Sequence, residues 1–79
     1  MRLDKYLKVS RIIKRRSVAN EACDTGRITV NGKVAKASYE VKVGDVMEIR
    51  FGERLTRAEI VSISEHAGKA DAAELYRII

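Results

Sequence analysis

Seven basic side chains crowd the first sixteen residues: Arg2, Lys5, Lys8, Arg11, Lys14, Arg15 and Arg16, against Asp4 alone. That is 7 − 1 = +6. Residues 17–79 carry nine basic and ten acidic side chains, 9 − 10 = −1, so the whole excess of this +5 chain sits at one end. Arg2, Lys5 and Lys8 are three apart, and on a helix they run up one side. Lys14, Arg15 and Arg16 form a cluster just before a second helical pattern. Cations beside a helix start attract phosphates, because the free amides and the side chains add in the same direction. The chemistry on offer is therefore the binding of a polyanion, either nucleic acid or an anionic membrane surface. The bland alternative is a solvated basic face.

Other chemistry is missing from the pattern. There is no nucleophile–base pair, phosphate-cradling glycine loop or dense carboxylate cluster. Cys23 is the single cysteine, so no internal disulfide is possible and a reducing compartment fits. It falls on an apolar helical face and reads as an inert buried thiol. His66 lies in a loop with no second histidine to complete a metal site. A non-enzyme without cofactor or metal is expected. No apolar stretch suits a signal peptide or approaches the roughly 20 residues of a membrane span. A cytoplasmic protein is expected.

The elements that must position these cations are short. Seventy-nine residues permit one domain with a thin core. Arg2 to Val9 reads as an amphipathic helix, with Leu3 and Leu7 on one face, Tyr6 beside them and Asp4 in the first turn. Asp4 either orients a neighbouring arginine or simply caps, and the structural role is preferred. Residues 10–16 read as a connection that tucks in Ile12 and Ile13. Ser17 is the expected N-cap of a second helix whose apolar face is Val18, Ala19, Ala22 and Cys23. Gly26 closes that helix in the left-handed conformation.

Arg27 to Val30 then alternates as a strand, and Asn31-Gly32 predicts a type I′ hairpin turn returning through Lys33 to Lys36. Ala37 to Val43 reads as extended, Gly44-Asp45 as a turn, and Val46–Phe51 and Leu55–Ile63 as a further strand pair. Asp71 is the expected cap of a last helix through Ala72, Leu75, Tyr76 and Ile79. Leu3, Leu7, Ile28, Val30, Val34 and Val43 are the expected core. The fold class is α+β: a single small domain, two N-terminal helices packed on a short antiparallel sheet, with a C-terminal helix. Residues 1–79 form the domain, with 1–50 as the binding core and 51–79 as closing strand and helix.

The order Arg2-Leu3-Asp4, Ser17, Gly26-Arg27-Ile28-Thr29-Val30-Asn31-Gly32 and Gly44-Asp45 resembles the ribosomal S-four RNA-binding domain, the αL motif. The likeness covers roughly residues 1–50. Several motifs in order at compatible spacing are specific where one alone would be weak. Length, and the KVSRIIKRRS and IRFGERL segments, are most similar to the free-standing members that serve ribosome quality control; the runner-up is the heat-shock branch. The resemblance implies a factor on large ribosomal subunits blocked by peptidyl-tRNA. It implies contacts with ribosomal RNA and P-site tRNA. It also implies a partner protein that recruits alanyl-tRNA to extend the stalled chain, and a monomer off the ribosome.

With that resemblance, RNA outranks DNA, because a short helix plus hairpin suits irregular shape and backbone better than a major groove. Arg2, Lys5, Arg11, Lys14, Arg15 and Arg16 are the first-rank phosphate contacts. Lys8, Arg27, Asn31, Lys33 and Lys36 are second rank; the turn needs Asn31 with or without RNA. A membrane role is disfavoured, since two leucines and a tyrosine offer little apolar area for anchoring. A protein-interaction module built on residues 46–63 is the other rival.

Overall fold

A computed structural model describes the backbone of residues 1–79 and every side chain except that of Lys69. Leu3, Tyr6 and Leu7 line one side of the first helix, α1 (Leu3–Val9), and all three are fully buried. The second helix, α2 (Arg16–Asp24), presents Ala19, Ala22 and Cys23 inward, small side chains that let the two helices approach closely. Gly26 follows at φ 78° and turns the chain into β1 (Ile28–Val30). Asn31 at φ 52° and Gly32 at φ 83° make the turn to β2 (Lys33–Val34), as a type I′ hairpin requires. β3 (Val46–Phe51) and β4 (Arg54–Ile60) form a longer hairpin, followed by α3 (Lys69–Ala72) and β5 (Tyr76–Ile78).

The five strands make one antiparallel sheet in the order β2-β1-β3-β4-β5. Ile28 faces Ile49, and Val30 faces Met47, which in turn faces Ala58. These residues are buried on the sheet face that carries the core, together with the inward sides of α1 and α2. The fold is thus α+β with two N-terminal helices on a short antiparallel sheet. No helix among the described residues is long and apolar enough to cross a membrane.

The chain departs from its sequence pattern in several places, each for a physical reason. Ser17 is not the cap of α2. Arg15 is, in extended conformation, and its carbonyl accepts from the Ala19 amide at 3.0 Å. Burial of Ile13 and the pairing of Arg16 with Asp4 bring the helix start forward. Val18, one step round from Ala19 and Ala22, is exposed.

The 37–43 segment makes no regular strand. Its carbonyls are spent on the free amides of α1: Leu3 donates to Tyr39 at 2.7 Å and Asp4 to Ala37 at 3.2 Å. A single antiparallel bridge joins Arg2 to Glu40. Val34 and Val43, assigned to the core from their alternation, are each 65% exposed. Val34 lies on a two-residue edge strand, where one face meets no helix.

The C-terminal helix is a single turn, capped by Gly68 rather than by Asp71. The chain beyond it becomes β5, with Ala58 opposite Ile78 and Ile60 opposite Tyr76. An open edge of β4 offers a row of backbone partners, whereas a nine-residue terminal helix is marginal by itself. The buried Tyr6 hydroxyl donates to the Leu75 carbonyl at 2.5 Å and pins this segment to α1. Burial first, then the neighbouring Tyr76, pushes the Tyr6 phenol well above its ordinary range.

Candidate nucleic-acid interface

A buried carboxylate organises the basic end. Asp4 is 2% exposed, so its charge must be compensated locally. It accepts from the Lys5 amide at 2.8 Å and from the Asn20 side-chain amide at 3.2 Å. Arg2 Nε stands 3.3 Å from Oδ1, with a second Arg2 nitrogen 3.4 Å from Oδ2, and Arg16 Nε lies 3.4 Å from Oδ2. Burial works against ionisation of Asp4. The Asn20 amide, the Lys5 amide and Arg16 outweigh it and hold the carboxyl below its ordinary 3.8. The arginine side chains remain 51% and 48% exposed. Arg2, which precedes α1, and Arg16, which opens α2, are thus held at one point, each with about half of its side chain open to solvent.

Past the other end of α1 the chain makes a tight turn in which Arg11 takes φ 63°, an uncommon conformation for a side chain of this size. Its amide donates to the Lys8 carbonyl at 3.0 Å, and the Ile13 amide reaches the Leu7 carbonyl at 3.1 Å. This turn brings Lys8, Arg11 and Lys14 to one open cleft, whose other wall is Glu65, His66 and Ala67. Glu65 also pairs with Lys5, which draws its carboxyl below the ordinary range. Arg15 is exposed at the start of α2. α1 is about 10 Å long, so the Asp4 arginines and the Lys8 cleft mark two ends of one basic track.

The hairpin residues lie in a second place. Lys33 and Lys36 line a groove with Val34, Ser38 and Tyr39. The hydrogen bond from Asp4 to Ala37 sets this groove beside the start of α1. Asn31 lines it too, but both ends of its side chain are engaged: Nδ2 donates to Asp45 at 3.0 Å and Oδ1 accepts from the Val46 amide at 3.0 Å. Tyr39 and the Lys42 amide also donate to Asp45, at 2.9 and 3.0 Å. The Asn-Gly and Gly-Asp motifs are therefore two halves of one staple, and Asn31 shapes the hairpin that carries the lysines. Arg27 stands apart at the entry to β1, exposed, with its carbonyl accepting from the Arg50 amide at 2.9 Å.

Sequence reasoning missed Asn20, Glu65 and Tyr39 as neighbours of these cations. Asn20 sits sixteen residues from Asp4 and Glu65 sixty from Lys5, so only the packed fold brings them together. Asn20 did leave a trace, since an amide in the second turn of an otherwise alanine-lined helix has a poor intrinsic preference for that position. Cys23 is buried and free, and burial, then the charges of Asp4 and Asp24, pushes its thiol up to about 11. No cluster of metal-ligating side chains occurs among the described residues.

Comparison with known proteins gives a consistent picture. Residues 1–47 match the S4 domain. The RQC P-site tRNA stabilizing factor of Streptococcus pneumoniae is 57% identical over all 79 residues, which cover 90% of that protein. The factor of the same name from Halalkalibacterium halodurans is 56% identical over 99% of this chain and 89% of its own. Among solved structures, trimeric heat shock protein 15 of Vibrio cholerae matches with a TM-score of 0.92 at 35% identity. It is matched over 100% of this chain and 81% of its own.

Proposed function

The chain belongs to the S4 domain family, beside the RQC P-site tRNA stabilizing factors, and on that footing we propose that it is a non-enzymatic RNA-binding factor of ribosome-associated quality control. It acts in the cytoplasm on large ribosomal subunits blocked by peptidyl-tRNA, touching ribosomal RNA and the P-site tRNA. With a partner protein that recruits alanyl-tRNA it supports alanine tailing of the stalled chain, and off the ribosome it is a monomer. The observation that carries this reading is the near-full-length identity to factors named for P-site tRNA stabilisation. The basic track along α1 supports it, because cations that outnumber the carboxylates beside them and sit at fixed positions suit phosphate backbones. The proposed contacts are Arg2, Lys5, Lys8, Arg11, Lys14, Arg15 and Arg16, with Arg27, Lys33 and Lys36 as the second wall and Asn31 acting through the turn.

The test is sedimentation of the protein with large subunits carrying or lacking peptidyl-tRNA, coupled to crosslinking and RNA sequencing. Comigration that depends on peptidyl-tRNA, with tRNA crosslinks, is expected. Comigration without any tRNA crosslink would overturn P-site binding. The likeness to heat shock protein 15 favours one second reading, rescue of blocked subunits without tailing. Loss of alanine tails in cells lacking the protein separates the two.

A further inference from the structure

Two like charges do not gather unaided. The guanidiniums of Arg2, just before α1, and of Arg16, at the start of α2, both lie within 3.4 Å of the Asp4 carboxylate. Without that carboxylate they would repel one another and each would sample many rotamers. Ordering a long arginine side chain costs conformational entropy. Asp4 meets that cost in the folded protein, before any ligand arrives, which is preorganisation. It is itself immobilised by Asn20 and the Lys5 amide, so the pair is referenced to both helices. Two guanidiniums against one carboxylate leave a net +1. Each arginine side chain is about half exposed, and its planar donors suit phosphate oxygens.

We propose that Asp4 is a positioning residue, and that it holds Arg2 and Arg16 as a pincer that takes one backbone phosphate of the RNA. The inference rests on the RNA-binding reading above and adds a role to an acidic residue that charge counting would class as unfavourable. Asp4 touches no ligand; it acts through the two arginines. The remaining basic residues of the track stand outside the pincer and bind as separate charges.

The sign of one substitution tests this. Asp4→Asn adds +1 to the basic end while removing the anchor of the pincer. If net charge alone governs binding, the variant binds more tightly. If Asp4 positions the arginines, it binds roughly tenfold more weakly, the size of one charge-assisted hydrogen bond. The probe is isolated large ribosomal subunits at fixed ionic strength, with affinity read by filtration and folding by thermal melting. Arg2→Ala, Arg16→Ala and the double variant keep the test open if Asp4→Asn does not fold. A shared phosphate makes the double variant's loss smaller than the product of the single losses. Weaker binding by folded Asp4→Asn together with that coupling, or the coupling alone where Asp4→Asn does not fold, supports the pincer. Equal or tighter binding by folded Asp4→Asn, or independent losses from the two arginines, overturns it while leaving RNA binding intact. Failure of the unaltered protein to bind the subunits overturns the RNA-binding reading itself.

Discussion

The α1–α2 end and the outer face of β3–β4–β5 are both rich in charge, but they differ in how far those charges are matched. On the sheet, Glu48 lies opposite Arg57 and Glu59 opposite Arg77, and both pairs form ion pairs across the strands. Such a ladder cancels its own field within a Debye length of about 8 Å. At the helical end, Asp4 serves two arginines and Glu65 one lysine, while Lys8, Arg11, Lys14 and Arg15 stand exposed. The excess there projects outward. Local matching therefore separates an interface from a solvated face, and charge density does not.

The largest expected effect breaks the unmatched side. Replacing Lys14, Arg15 and Arg16 together with alanine should flatten the log–log salt dependence of subunit binding by about 2.1–2.7, three contacts at about 0.7–0.9 each. Replacing Arg57 and Arg77 together removes two charges from the matched side and should move the slope far less per charge removed. Equal flattening per charge in a salt titration would mean that net charge alone drives association and that no docking face exists.

Next in size is the hairpin that presents Lys33 and Lys36. Gly32 has open space where a Cβ would go, so the cost of Gly32→Val is led by backbone strain. At φ 83° that strain should lower unfolding stability by about 1–3 kcal/mol. A denaturant titration checks it. Unchanged stability would mean that the hairpin relaxes to another turn, and the second wall of the interface would lose its fixed place.

Much of this organisation is written in local sequence. The alternation of Ile28, Val30, Met47 and Ile49, the Asn-Gly turn and the glycine after α2 are each decided by nearest neighbours, and all are present. The basic track was legible because like charges at helical spacing need no partner to be seen. The misplaced features depend on distant contacts. The 37–43 segment alternates like a strand, but α1's unsatisfied amides claim its carbonyls. Ala72, Leu75, Tyr76 and Ile79 carry a helical spacing of apolar residues, but the open β4 edge decides the state of Tyr76–Ile78. The reach of Asp4 to Arg16 across a helix–helix contact leaves no periodicity to read.

A smaller effect is expected from acid. The partners of Asp4 hold its carboxyl below 3.8 in the folded chain, so folding favours the ionised form. That stabilisation is fully present above the ordinary carboxylate range and is lost as pH falls through the lowered value. Thermal melts of the unaltered protein should weaken as pH drops below about 4, near the unperturbed aspartate value. Asp4→Asn should show a shallower decline over that window. Identical declines would place the acid sensitivity in other carboxylates and detach Asp4 from the stability of the basic end.

The smallest expected effect tests the matched side alone. Arg57 reaches Glu48 at 3.4 Å across β3 and β4, and both side chains are substantially exposed. Exposed pairs of this kind contribute about 0–1 kcal/mol, because water screens the attraction and two long side chains lose freedom. Glu48 is not stranded when Arg57 goes, since the Thr29 hydroxyl still donates to it at 3.3 Å. Arg57→Ala should therefore change unfolding stability by less than about 1 kcal/mol. It should also leave the salt slope of subunit binding where it was, whereas Arg15→Ala should lower that slope by about 0.7–0.9. Both variants lose one positive charge, so any difference between them reports position. If Arg57→Ala flattened the slope as much as Arg15→Ala, position would not matter and net charge alone would drive association. The contrast between matched and unmatched charge would then have no functional meaning in this molecule.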